Sequence, residues 1–322
     1  MRPDVAAAPV RWHARGLNNK LIFGATYYGC THFPVRVSYG LGHAGTWLAY
    51  HLMRDGTNGL VENFRVVRPE ASDRELNQLA LKTYRTYGRD VVDFIRGLDM
   101  DRQALAKRVY EFDDTRFAGV MAEGRGVIVA GGHFGNWELG GVALRRLRDV
   151  PLTVVGRPEA SPFVGQLRQR MRESLGIETI EIGQALDTAL RIRRILENNG
   201  AVALLLDRHL GRDRIDVEFF GRRAGFLRSP AMIASLSGSP ILPSFMIRRP
   251  DGRFSAVCGE TIRVDTSLPV EDGIRQATQA FASQLESRIR QNPHLWYQFY
   301  SYFEKAAGQR PQAKAHKPQA QG

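Results

Sequence analysis

The chain has 322 residues, 43% of them hydrophobic and 24% charged, which excludes a disordered polyelectrolyte and leaves enough apolar material for a sizeable core. Its net charge is +12, and only six of the 45 basic residues are lysine, so arginine, suited to planar phosphate and carboxylate recognition, carries the charge. That balance admits nucleic acid, an anionic membrane, or an acidic protein or substrate as partner, while two distant cysteines, Cys30 and Cys258, argue against a disulfide scaffold or a thiolate metal site.

Residues 1–16 read as a loose arm lacking the apolar centre of a secretory signal. From Leu21 to Met53 apolar and aromatic residues are dense, among them Phe23, Tyr28, Tyr39, Trp47 and Leu48. His32, Pro34, Arg36, His43 and His51 interrupt them, and no window supplies the roughly 20 apolar residues of a spanning helix. Two readings stay open for this stretch: an interfacial segment with Trp and Tyr at headgroup level, or a hairpin of helices covering the core. Ser72 followed by Glu75 is a capping-box pair, and it opens an amphipathic helix over about 72–97 with Leu76, Leu79, Tyr84, Val91 and Ile95 among its apolar positions. Residues 101–122 read as a further helical or mixed segment.

The chemistry concentrates in Gly126–Gly141. Val127, Ile128 and Val129 form a short β-branched run suited to a strand buried on both faces. Gly131 and Gly132 break it, His133 follows, and from Trp137 an apolar helical pattern resumes. At about 100° per residue, positions five apart on one helix cannot touch. His133 and Glu138 therefore meet only if His133 stays on the entering turn. A carboxylate there would fix the imidazole tautomer and leave the other ring nitrogen as a general base. With no Ser or Cys at this elbow, the expected nucleophile is a hydroxyl of the substrate. The backbone N–H groups of Gly135 and Asn136, at the helix N-terminus, are expected to hold an oxyanion.

Downstream, Pro151–Val155 is a second short buried strand running into Gly156, Arg157 and Pro158. The helix over about 161–175 carries arginines at 168, 170 and 172. Positions 168 and 172 share a face, and Arg170 or Arg172 reads either as a phosphate-facing wall or as part of a solvated basic face. Residues 177–182 alternate like a strand, and a helix over about 184–198 ends at Asn198, Asn199 and Gly200. Ala201–Leu206 is a third buried strand, ending in Asp207, Arg208 and His209. This alternation predicts an α/β fold, a mostly parallel sheet flanked by helices, with ligands bound beyond the strand C-termini. His133, Arg157 and Asp207 each follow a strand, so they should converge on one edge, with Asp207 assisting His133 or holding Arg157. Strands over 217–221 and 240–247, a strand pair within 253–264 and an amphipathic helix over about 272–291 complete the pattern.

The string HFGNWE at 133–138 resembles the His-x4-Glu (or Asp) motif of the lipid A biosynthesis acyltransferases, the late lauroyl/myristoyl transferases of the bacterial inner membrane. Mycobacterial phosphatidylinositol-mannoside acyltransferases belong to the same superfamily. ALLLDRH, VEFFG, SPAMIASLSGSPILP and a Pro-x-x-Trp at 293–296 follow in the family's order, so the resemblance covers roughly residues 60–303. One departure is that the family's aromatic-Arg-Arg stretch after that Trp reads YQFYSYF here. The resemblance implies a glycerolipid acyltransferase-like fold over 54–305, preceded by an N-terminal membrane-associated helical segment within 1–53, and the low-complexity composition of 306–322 reads as a disordered tail. It implies transfer of a fatty acyl group from a thioester to a hydroxyl of a membrane glycolipid, a lipid A precursor first and a phosphatidylinositol mannoside as the alternative. His133 and Glu138 would be catalytic; Gly135, Asn136, Arg157, Arg170, Asp207 and Arg208 would bind substrate. No metal or cofactor is expected. The implied acceptor is a lipid at the cytoplasmic face of the inner membrane, with no nucleic acid, and the arginine-rich net charge of +12 favours an acidic acyl carrier protein over coenzyme A as donor carrier. A basic membrane- or nucleic-acid-binding protein without activity is the rival, but a binder has no need of His133 and Glu138 at this spacing, and RNA-binding signatures are absent.

Overall fold

The structure is a computed structural model and describes residues 20–303 except 113, 158–161 and 182–184. The loose arm and the whole C-terminal tail of the sequence reading lie outside the described residues, as does Pro158. Nine strands are described: β1 (Val109–Phe112), β2 (Val127–Gly131), β3 (Leu152–Gly156), β4 (Glu178–Glu181), β5 (Ala201–Leu205), β6 (Ile215–Phe219), β7 (Arg222–Phe226), β8 (Ile241–Arg248) and β9 (Phe254–Cys258). Seven form one sheet in the order β1-β9-β8-β2-β5-β3-β4, and β6 and β7 form a separate antiparallel hairpin. Within the sheet β8 and β9 pair antiparallel, and every other pairing is parallel. The expected mostly parallel sheet is therefore present. Where a strand pair was expected within 253–264, β9 forms alone, and Ile262 makes a single bridge to Ile241.

The β-branched run of β2 is central because both faces of the sheet are covered. On one face Val127 packs with Val142, Ala143 and Leu147 of α7 (Trp137–Arg148), Met171 of α8 (Pro162–Glu173), and Val92 and Ile95 of α4 (Asp73–Gly97). On the other, Ile128 and Ala130 join Ile192 and Leu196 of α9 (Ala185–Glu197), Ile233 of α10 (Ser229–Ser237), and Ile274, Phe281 and Leu285 of α11 (Val270–Gln291). The helix α4 starts where the sequence indicates: Ser72 caps Glu75 N–H, and the Glu75 carboxylate accepts from Ser72 N–H at 2.8 Å.

The stretch before α4 folds as three helices, α1 (Lys20–His32), α2 (Val35–Leu52) and α3 (Arg54–Val67), with Pro34 separating the first two. Both α1 and α2 pack on α4, so the hairpin over the core is formed. It nonetheless leaves Tyr28, Phe33, Leu41, Trp47, Leu48 and Leu52 exposed. Among the described residues no helix is long and apolar enough to cross a membrane.

A buried polar network ties this hairpin to the sheet. Arg248, at the end of β8, is 7% exposed and pairs with Asp90 at 2.5 Å and with Asp93, both on α4. Tyr39 of α2 donates to Asp93 at 2.5 Å, and Arg108, the last residue of α5 (Arg102–Arg108; α6, Asp114–Ala122, follows β1), reaches both. The Tyr297 hydroxyl donates to the second Asp90 oxygen at 2.6 Å.

Candidate active site

Because β2, β3 and β5 run parallel, the residues after them emerge at one edge of the sheet. His133, Arg157 and Arg208 all line a cavity of about 1580 Å³ there. That is larger than the roughly 300–1,000 Å³ of an ordinary small-molecule site. Its polar part also takes in Glu138, Arg54, His209, Arg214 and Tyr300. Its apolar part runs along the sheet face beneath α7, where Val129, Val154, Ala203, Met246 and Ala256 line it with Phe94 and Phe117. The residues of successive strands that point to this face, Val129, Val154 and Ala203, are only half buried, because space rather than a side chain lies over them.

His133 sits on the turn between β2 and α7, as the spacing required. Its partner is not Glu138. The imidazole Nδ1 lies 2.7 Å from Asp207 Oδ1, and the His133 backbone N–H donates to both Asp207 oxygens at 3.0 Å. Asp207 is fully buried, and Oδ2 accepts two more hydrogen bonds, from Trp296 Nε1 at 3.2 Å and Gln298 Nε2 at 2.8 Å. Burial alone would raise this carboxyl, but the facing His133 and Arg208 outweigh it and hold it at about 2. An ionised Asp207 only accepts, so it fixes the proton on Nδ1 and leaves Nε2 as the basic nitrogen. Burial, and after it the Arg208 charge, keep His133 below its ordinary value against the opposing pull of Asp207, so the ring is neutral at pH 7. The Trp137 ring meets the imidazole edge-on at 5.4 Å.

Glu138 is on the first turn of α7, but its carboxylate faces α8. It accepts from Arg172 at 2.9 Å and Arg168 at 3.3 Å, and these guanidinium groups hold it ionised despite its burial. The expectation that Glu138 orients His133 is corrected: the α8 pair claims its carboxylate, and Asp207, reaching the imidazole from the neighbouring strand, takes the position. Arg168 and Arg172, which share a face, line the cavity, whereas Arg170 is exposed and points away from it. The substrate-wall reading of Arg170 is corrected accordingly. Arg157 lies at the cavity rim, exposed.

The oxyanion reading of Gly135 and Asn136 is corrected as well. Gly135 N–H donates to the Leu295 carbonyl and Asn136 N–H to the Met246 carbonyl, each at 2.9 Å, so both donors are already used. Their work is structural. Asn136 is buried, its Oδ1 caps Leu139 N–H at 3.1 Å, and its amide nitrogen donates to the Asp90 carbonyl at 2.9 Å. Gly135 has φ +66°, and a Cβ there would stand 2.2 Å from the Met246 carbonyl oxygen.

The composition of the turn does not reveal the segment that closes the site. After α11 a 3-10 turn at Pro293–Leu295 sends residues 296–303 back across the strand ends. Tyr297 N–H donates to the His133 carbonyl at 2.8 Å, and Arg208 donates to Gln298 Oε1 and the Tyr297 carbonyl, both at 2.8 Å. Buried Asn63 of α3 donates to the carbonyls of Gln298 and Tyr300 and accepts from Tyr302 N–H. The Pro-x-x-Trp sequence was the available signal for this strap. Among the described residues, no group of three or more His, Cys, Asp or Glu side chains could hold a metal ion.

A mostly parallel α/β sheet whose central strand delivers a carboxylate-held imidazole into a large, partly apolar cavity has the parts that base-assisted acyl transfer requires. Residues 20–305 match the bacterial lipid A biosynthesis acyltransferase family; the chain belongs to that family and is an acyltransferase. It is similar to a phosphatidylinositol mannoside acyltransferase of Mycolicibacterium smegmatis, 27% identical over 269 residues, covering 82% of this chain and 84% of the relative. A phosphatidylinositol mannoside acyltransferase of Mycobacterium tuberculosis is 29% identical over 245 residues, 72% of this chain and 71% of the relative.

Proposed function

We propose that the enzyme moves a fatty acyl group from a phosphopantetheine thioester to a sugar hydroxyl of a membrane glycolipid. The observation that carries this reading is the His133–Asp207 contact of 2.7 Å at the junction of the cavity's polar and apolar parts. His133 Nε2 takes the proton of the acceptor hydroxyl as its oxygen attacks the thioester carbonyl. The tetrahedral intermediate then collapses, the C–S bond breaks, and the imidazolium returns the proton to the departing thiolate. Arg208, held by Gln298 and the Tyr297 carbonyl, is the cation beside the dyad and offsets charge that builds on the carbonyl oxygen. The chain itself supplies the base and its orientation, and no metal or cofactor enters the step. The acyl chain lies along the sheet face over Val129, Val154 and Ala203.

The donor is carried by an acyl carrier protein, an acidic partner suited to a chain of net charge +12. The enzyme works at the cytoplasmic face of the inner membrane, with the exposed apolar residues of α1 and α2 in the interface; Trp47 and Leu48 are each 50% exposed. A lipid A precursor is the acceptor that the family description favours. The similarity to phosphatidylinositol mannoside acyltransferases and the arginine-free YQFYSYF stretch favour a mannosylated phosphoinositide as a second reading.

The test is transfer of a labelled acyl chain from carrier-protein and coenzyme A thioesters to both acceptors. Product on neither lipid, with thioester hydrolysis only, overturns the glycolipid reading. Equal use of both thioesters at low and moderate salt overturns the carrier-protein reading. Ala203→Phe should shift donor preference towards shorter chains, and an unchanged chain profile would remove the acyl group from the sheet face.

A further inference from the structure

Asp207 could orient His133 with either oxygen, yet its two oxygens are used differently. Both share the His133 N–H, but Oδ1 faces the imidazole at 2.7 Å, and Oδ2 is taken by Gln298 Nε2 at 2.8 Å and Trp296 Nε1 at 3.2 Å. Gln298 is itself fully buried, and both ends of its amide are engaged. The nitrogen donates to Asp207, and Oε1 accepts from Arg208 Nε at 2.8 Å. Its backbone carbonyl accepts from Asn63 of α3 at 3.0 Å, which fixes the strap from the far side. One neutral side chain thus separates the buried carboxylate from the guanidinium beside it while bonding to both. A direct Arg208–Asp207 pair would withdraw charge from the carboxylate and turn it away from the ring.

We propose that Gln298 is a positioning residue for the reaction: its amide holds Asp207 Oδ2 and Arg208 at once, so that Oδ1 stays on His133 and the cation stays at the cavity. This rests on the reading of His133 as the base. Gln298 does not touch substrate; it acts through Asp207 and Arg208. Outer partners that orient a metal-bound imidazole are typically worth about 10- to 100-fold in activity, and an imidazole held as a base calls for the same scale.

The test uses the full-length enzyme and compares wild type, Gln298→Leu, Gln298→Glu and His133→Ala in acyl transfer over pH, with thermal melting as the control for folding. Gln298→Leu should lower kcat by about 10- to 100-fold while KM for the thioester changes little. Gln298→Glu is the sharper variant. When protonated, its carboxyl donates to Asp207 and accepts from Arg208 as the amide does. When ionised, it sets a second negative charge against Asp207, and both can no longer hold their places. That variant should be active just above the acid limb that His133 sets and lose activity as pH rises further, a descending limb absent from wild type. A residue that merely fills space would give no such limb. Wild-type kcat and pH profile in both Gln298 variants, with His133→Ala inactive, overturns the role of Gln298 alone. Activity retained in His133→Ala removes the base reading and this proposal with it. Should Gln298→Leu fail to fold, the pH profile of the near-isosteric Gln298→Glu decides.

Discussion

His133 Nδ1 and Asp207 Oδ1 meet at 2.7 Å across the seam between β2 and β5, although 74 residues separate them in the chain. Asparagine at 207 keeps the shape, but its amide can present a donor to Nδ1 and favour the wrong tautomer. Asp207→Asn should lower kcat by about 10²–10⁴ with little change in KM. Thioester-release kinetics measure it, and a loss below about threefold would remove Asp207 from the mechanism.

The pH dependence follows from the sign of the His133 shift. The ring must be neutral to act as a base, and burial with Arg208 lowers its protonation below the ordinary value of 6.5. Wild-type kcat/KM should therefore stay flat through neutral pH and fall only on the acid side of 6.5. Arg208→Gln removes one of the lowering influences and should move that limb upward. A limb above 6.5 in wild type would contradict the buried, Arg208-facing imidazole.

Glu138 carries a different expectation from Asp207. Its carboxylate is 16% exposed and answers two cations of α8. Glu138→Gln leaves Arg168 and Arg172 close together without their counter-charge, at a cost on the order of 1–3 kcal/mol. Urea unfolding should report this loss, and the acid limb of the rate profile should not move. A shifted limb with unchanged stability would return Glu138 to the imidazole.

At Gly135 the positive φ and the Met246 carbonyl leave no place for a side chain. Gly135→Ala should cost about 1–2 kcal/mol of backbone strain, with a further ~1–3 kcal/mol from the overlap. Chemical denaturation of the variant measures the sum, and wild-type stability would show that the turn can open without loss.

Membrane attachment through α2 is tested by replacing Trp47 and Leu48 together with serine. Burial of each of these large apolar side chains is worth about 1.5–3 kcal/mol, and half of each is already covered in the fold. Partition onto anionic vesicles should fall at least about tenfold by co-sedimentation. Unchanged binding would assign attachment to the arginine-rich surface, where high salt should then abolish it.

Much of the frame was legible because it is local. The apolar runs of β2, β3 and β5 and the capping box at Ser72 are short-range signals, and parallel strands bring His133, Arg157 and Asp207 to one edge. The pairing within the site was not legible. Spacing allows Glu138 to reach His133, but it carries no information that α8 will set Arg168 and Arg172 against the same carboxylate. The use of the Gly135 and Asn136 donors is hidden for a similar reason: their acceptors, Leu295 and Met246, come from remote parts of the chain. Gln298 gave no signal at all, because a single buried amide leaves no periodicity.

The ion network of Asp90, Asp93 and Arg248 makes the N-terminal helices more than a detachable anchor. From Tyr39 on α2 an unbroken line of contacts runs through Asp93, Arg248 and Asp90 to Tyr297, whose backbone holds the His133 carbonyl. A truncation at residue 53, made to gain solubility, would cut that line at its first link and uncover the α4 surface beneath it. The helices that would rest on the bilayer thus also serve as the keystone of the turn that carries the base.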